Sequence, residues 1–170
     1  MKILETERLY LRTIEPEDAA FYHELINDPT WLEYIGDKGI YSVEAARAAI
    51  IAGPCAMQAK LGFSLYLMER RSDGKPLGMC GLIKRDWLPE VDIGYAIRPA
   101  YSGQGYTYEA AAAVLVHARE QLHLPQLLGI TAPANAKSIA LLAKLGMTFI
   151  EHKALPPENR PTNIYGMALL

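Results

Sequence analysis

The sequence predicts an α+β fold of mixed type. Seven strand-like segments can be marked along the chain, and three of them follow one another through its middle. Two of those three are joined by Ser72-Asp73-Gly74-Lys75, a hairpin turn signal that implies antiparallel neighbours. Helical segments punctuate the two ends and do not alternate with every strand, as regular βαβ winding would require. At 170 residues the chain reads most simply as one domain, residues 1–170, large enough to bury a real core. With 51% apolar and 21% charged residues, it falls among ordinary soluble globular proteins.

Taken in order, Glu7 to Thr13 alternates apolar and polar residues, as a half-buried or edge strand should. Glu15-Pro16-Glu17-Asp18 opens a helix with proline in its first turn and acids favouring its dipole. Ala20, Phe21 and Leu25 form its apolar stripe, and Pro29 ends it. Trp31 to Lys38 is short, aromatic and interrupted by glycine. Ser42 caps a second helix that runs to about Gln58, with Gly53-Pro54 as an interruption. Strands follow at Gly62–Arg70, Pro76–Lys84 and Glu90–Ile97, the last two separated by a turn at Asp86–Pro89. Beyond Ile97 come a glycine-bearing loop, an alanine-rich helix to about Leu122 and a short apolar strand at Leu127–Ala132. A helix from Asn135 and strands at Thr148–Leu155 and Asn163–Leu169 complete the chain.

Composition excludes several functions. The net charge of −2 gives no support for nucleic-acid binding, which shows a basic excess. No apolar run approaches a membrane span, and the N-terminus lacks a signal-peptide core, so a cytoplasmic setting away from membranes is expected. Cys55 and Cys80 lack CxxC spacing and read as small buried apolar side chains. The histidines at 23, 117, 123 and 152 have no ligand spacing, so no metal is expected.

The densest signal is Arg98-Pro-Ala-Tyr-Ser102-Gly103-Gln104-Gly105-Tyr106-Thr107-Tyr-Glu109. A strand that ends in a glycine loop and turns into a helix makes an anion cradle. Successive N–H groups line it, and the helix dipole adds positive potential. Phosphate or pyrophosphate is the natural guest. The dinucleotide pattern fails because Tyr108 stands at the third glycine, and the triphosphate loop fails because Tyr106 follows Gly105. An ordinary turn before a helix is the remaining alternative.

A second block, Asn135-Ala-Lys-Ser138-Ile-Ala-Leu-Leu-Ala-Lys144-Leu-Gly146-Met-Thr-Phe149, follows the strand at Leu127. Together the two blocks resemble the GNAT superfamily of acyl-CoA-dependent N-acetyltransferases: its pyrophosphate loop, then its N-x-x-S-x-x-L-L-x-K-L-G-F element. Glu7-Arg8-Leu9-Tyr10-Leu11-Arg12 and Asp92-Ile93-Gly94-Tyr95 resemble the RimJ/RimL branch, which contains ribosomal-protein acetyltransferases. The likeness runs from Leu4 to Leu169. It departs at Ser102, where the family has Gln or Arg (Trp in this branch), and at Thr107, which replaces a small residue. The Thr107 hydroxyl can itself bond a phosphate oxygen.

The resemblance implies a mostly antiparallel seven-stranded sheet flanked by helices, splayed between its fourth and fifth strands, with acetyl-CoA wedged in the gap. Ser102, Gly103, Gln104, Gly105, Tyr106 and Thr107 would hold the pyrophosphate. The backbone of Tyr95, Ala96 and Ile97 would pair with the pantetheine arm. Asn135 matches the position whose side chain reaches that arm, and it also reads as an N-cap. Ser138, three residues on and on the same helix side, is the candidate proton donor to the CoA sulfur, with a structural hydroxyl as the alternative. Tyr165 is a second donor candidate. Asp92 matches the acidic position before Ile-Gly-Tyr and is the candidate base, with Glu90 behind it. A base role for an aspartate needs burial or a water relay. Trp31, Tyr34, Trp87 and Glu90 would wall the acceptor.

The function implied is N-acetyl transfer from acetyl-CoA to a primary amine, by direct attack in a ternary complex. The acceptor is a protein N-terminus or a small molecule. The alternatives are a non-catalytic CoA-binding or sensing module on the same fold and a nucleotide-binding regulator. The resemblance also admits a homodimer.

Overall fold

The alternation at the N-terminus becomes a strand with Leu9, Leu11 and Thr13 buried and Tyr10 and Arg12 half-buried. In the computed structural model, which describes residues 1–170, eight strands form one sheet. They are β1 (Lys2–Glu5), β2 (Leu9–Thr13), β3 (Leu65–Arg70), β4 (Pro76–Ile83), β5 (Asp92–Ile97), β6 (Gln126–Thr131), β7 (Thr148–Leu155) and β8 (Arg160–Ala168). Their spatial order is β1-β2-β3-β4-β5-β6-β8-β7. The expected count of seven is short by β1, a four-residue strand paired antiparallel with β2. Four residues are too few to show a period.

Every neighbouring pair is antiparallel except β5 with β6. That parallel ladder holds only at Asp92↔Leu128 and Ile93↔Gly129, although both strands run on. Beyond Ile93 the two strands part. Counted without β1, the parting lies between the fourth and fifth strands, as expected.

Six helices complete the chain: α1 (Ala19–Ile26), α2 (Pro29–Tyr34), α3 (Val43–Ile50), α4 (Ala56–Leu61), α5 (Tyr106–Glu120) and α6 (Ala136–Lys144). Strand alternation sorts them onto two faces. Tyr66, Met68, Cys80 and Leu82 pack with Ala110, Ala111, Val114 and Ala118 of α5. Leu67 and Met79, one residue out of phase, pack with Ala19, Leu25, Ala46 and Ile50 of α1 and α3. Small residues on α5 bring that helix close to the sheet.

Some boundaries differ from expectation. In α1 the buried residues are Ala19, Leu25 and Ile26, while Ala20 is exposed. A 3-10 turn at Pro16–Asp18 precedes the helix and shifts its phase. Pro29 does not end α1; it is the first residue of α2, where a missing N–H costs nothing, and Asp28 caps that helix by accepting from the Thr30 N–H at 3.0 Å. The Gly53-Pro54 interruption is a π-helical stretch, Ile51–Cys55, through which the chain stays helical from α3 to α4. Ser42 caps α3 as expected, accepting from Ala45 at 3.1 Å. Cys80 is fully buried, which pushes its thiol up, and Cys55 is half-buried; both are free. No helix is long and apolar enough to cross a membrane.

Candidate active site

Where β5 and β6 part, a cleft of about 770 Å³ opens. Gly94, Tyr95 and Ala96 line one side and Ile130 to Asn135 the other, with Ser138 beside them. Tyr95, Ala96 and Ile97 pair with Cys80, Met79 and Gly78 of β4, and β6 supplies no partner on their other side. An extended ligand can therefore add to this edge as a strand would. Ile97 lies past the cleft wall and packs on the α5 core.

The glycine loop stands at the N-terminus of α5. Gly103 (φ +78°) and Gly105 (φ +83°) are both left-handed, a conformation that favours glycine. Across Gly103, Gln104, Gly105, Tyr106 and Thr107, no backbone N–H finds a partner within the chain. Consecutive unpaired donors at a helix start are what a pyrophosphate requires. The loop is pinned from behind by the segment leading into β2. Arg8 Nη1 donates to the Gln104 carbonyl at 3.0 Å, and its Nε donates to Glu109 at 2.8 Å. The same guanidinium lies 4.2 Å from the Tyr106 ring centroid. Thr6 donates to Glu109 at 2.6 Å. Ser102 faces α6, where Lys137 Nζ donates to its hydroxyl at 3.4 Å. These loop residues are not part of the cleft wall.

Asn135 caps α6 by accepting from the Ser138 N–H at 3.2 Å. Ser138 is buried, and its Oγ lies 2.6 Å from the Tyr95 hydroxyl. Burial first of all pushes the Tyr95 phenol up to about 12, so it is protonated at neutral pH; the Ser138 hydrogen bond opposes the shift. The sequence points only to the Tyr95 backbone. Its side chain meets Ser138 across 43 positions, a separation with no periodic signal.

Asp92 is 1% exposed and is no solvated strand acid. Arg85 Nε donates to it at 3.0 Å and Nη2 at 3.4 Å. Burial, opposed by Arg85, raises the Asp92 carboxyl to about 6. Trp31, Tyr34 and Trp87 line the same cleft, and the Arg85 guanidinium lies 5.2 Å from the Trp87 ring centroid. Lys38, Glu158 and Arg160 also line it, and no sequence motif points to them.

Two expected residues lie elsewhere. Glu90 sits in a bend before β5, which begins at Asp92, so the alternation assumed from Glu90 does not reach it and it is absent from the cleft wall. Tyr165 is not part of the cleft wall: it is buried in the α5-side core, edge-on to Phe149 with ring centroids 5.7 Å apart.

Comparison with known proteins agrees with this geometry. Residues 8–148 match the model of the acetyltransferase (GNAT) domain. The chain is 26% identical over 170 residues to the uncharacterized N-acetyltransferase YnaD of Bacillus subtilis (strain 168), covering 98% of this chain and 96% of that protein. The acetyltransferase from Agrobacterium tumefaciens str. C58 superposes with a TM-score of 0.82 at 26% identity, covering 98% of this chain and 94% of the other. RimL, a ribosomal L7/L12 alpha-N-protein acetyltransferase solved with coenzyme A, has a TM-score of 0.84 over 99% of this chain and 98% of its own, but 16% identity, a likeness of fold.

Proposed function

The chain belongs to the GNAT acetyltransferase family, and we propose that residues 1–170 are a single acyl-CoA N-acyltransferase domain that acetylates a primary amine by direct attack in a ternary complex. The observation that carries this reading is the parted β5–β6 ladder, which leaves a free strand edge between the unpaired N–H run at Gly103–Thr107 and the Ser138–Tyr95 pair.

Acetyl-CoA supplies an activated acetyl carbon and a thiolate leaving group. The chain's residues do the rest. The loop N–H groups bind the pyrophosphate, the β5 edge aligns the arm, and proximity of the two substrates contributes several kcal/mol. As the amine nitrogen bonds to the acetyl carbon and the carbon–sulfur bond breaks, two protons must move. Asp92, ionised at neutral pH, takes the proton of the amine directly or through water. Ser138 relays a proton to the sulfur and regains one from water as it does so, leaving no alkoxide behind. Tyr95 is a positioning residue: its hydroxyl lies 2.6 Å from Ser138 Oγ, and in the arrangement where the tyrosine donates, the serine hydrogen is free for the cleft.

Calorimetric titration with acetyl-CoA, with ATP and NAD as controls, tests the reading. Saturable binding of acetyl-CoA alone, followed by thiol release with an amine, is expected. Preference for ATP or NAD would overturn it, and binding without turnover of any amine would indicate the sensing module.

A further inference from the structure

The acceptor end of the cleft is rich in donors that the chain does not satisfy. Lys38, Arg85 and Arg160 all line it. Arg85 is spent on Asp92. Arg160 gives one N–H to the Glu33 carbonyl at 2.9 Å, and neither Arg160 nor Lys38 has a carboxylate within 4.0 Å. Trp31 is part of the same wall, and its buried indole N–H meets no acceptor. The indole nitrogen is closed off from the cleft, so the open donors there are the two cations without a carboxylate, and together they suit an anionic oxygen.

The acids of the cleft do not fill that need. Asp37 accepts from the Tyr41 hydroxyl at 2.5 Å and the Gly39 N–H at 2.8 Å. Glu33 is exposed and uses its backbone carbonyl. Desolvation first of all, and then the charges of Arg85 and Arg160, hold the Lys38 ammonium below the usual lysine range, with Glu158 opposing from a distance. An added carboxylate would relieve that repulsion.

We propose that the acceptor is an amino acid or similar amine bearing a carboxylate, which Lys38 and Arg160 bind while its amine lies toward Asp92. The inference rests on the cleft being the acetyl-transfer site. The aromatic wall of Trp31, Tyr34 and Trp87 then receives the rest of the acceptor. Lys38 has no ion-pair partner in the chain, so Lys38→Met breaks no ion pair, and circular dichroism checks its fold.

The experiment is a panel of free α-amino acids, each beside its carboxamide and its decarboxylated amine, assayed by thiol release from acetyl-CoA. At least one carboxylate is expected to exceed its carboxamide in kcat/KM by about tenfold or more, as a charge-assisted hydrogen bond allows. That ratio should shrink in Lys38→Met, in Arg160→Gln and in high salt. Turnover that is equal or better with carboxamides or decarboxylated amines overturns the inference and leaves acetyl transfer standing. Binding of acetyl-CoA without turnover of any panel member also overturns it. Failure to bind acetyl-CoA overturns the underlying reading instead.

Discussion

Tyr95→Phe removes one oxygen from the cleft and nothing else. The ring keeps its packing, so the variant should fold, and circular dichroism checks that. What is lost is the 2.6 Å contact to Ser138 Oγ. Truncating one member of a buried hydrogen-bonded pair costs about 1–3 kcal/mol, and each 1.4 kcal/mol is tenfold in rate. If the tyrosine aligns the serine, kcat should fall about tenfold with little change in the Michaelis constant for acetyl-CoA. Ser138→Ala removes the proposed proton donor, and if the serine has that role a loss of about 100-fold is expected. The double variant decides the matter. A residue that acts only through Ser138 has nothing to act on once the hydroxyl is gone, so the pair should also lose about 100-fold. Independent effects would multiply to about 1000-fold. Steady-state thiol release at saturating acetyl-CoA measures all four proteins. Multiplicative losses, or wild-type turnover in Tyr95→Phe, would refute the argument.

Two further outcomes follow from the same geometry. The Asp92 carboxyl stands at about 6 in the fold against an ordinary 3.8, so the folded chain holds its proton over a pH range where the unfolded chain has released it. The stability it contributes is present below pH about 4 and lost as pH rises through about 6, visible as a falling midpoint in thermal melts. If Asp92 accepts the amine proton, kcat/KM rises along a limb near pH 6 that Asp92→Asn abolishes; a limb that survives that substitution assigns the base elsewhere. Gly105→Val forces a branched side chain into φ +83° and sets its Cβ 3.3 Å from Arg8 Nη2. Left-handed strain costs about 1–2 kcal/mol, so the melting midpoint should drop and the Michaelis constant for acetyl-CoA should rise about tenfold. Unchanged cofactor kinetics would remove the loop from the site.

Local chemistry is legible in the sequence. Ser42 and Asn135 cap the helices that their positions predict, and Gly103 and Gly105 adopt the left-handed angles that a phosphate loop uses. These signals lie within a few residues of one another. What the sequence hides lies at long range. Arg85, Lys38 and Arg160 come from three separate loops or strand ends and share no spacing. Alternation misplaces Glu90 because it identifies faces only once the first residue of a strand is known, and the bend before Asp92 hides that start. Tyr165 shares the α5-side core with Tyr95, and no alternation within β8 tells that it packs edge-on to Phe149 and outside the cleft wall.

The strand β5 shows why these faces matter. Ile93, Tyr95 and Ile97 point to the α5 side, where Tyr95 meets Ser138 of α6. Asp92 and Ala96 point to the side of α1 and α2, where Arg85 and the aromatic wall stand. One six-residue strand thus sets a buried phenol and a buried carboxylate three positions apart, on opposite faces of a sheet that has opened beside it. A slip of one residue would exchange the faces, burying a carboxylate against α6 and turning the tyrosine toward Arg85 and the aromatic wall. The register from Gly78↔Ile97 to Ile83↔Asp92 runs without a bulge. That unbroken pairing with β4 fixes which face each group serves, so the strand can give up its β6 partner and still hold both groups in place.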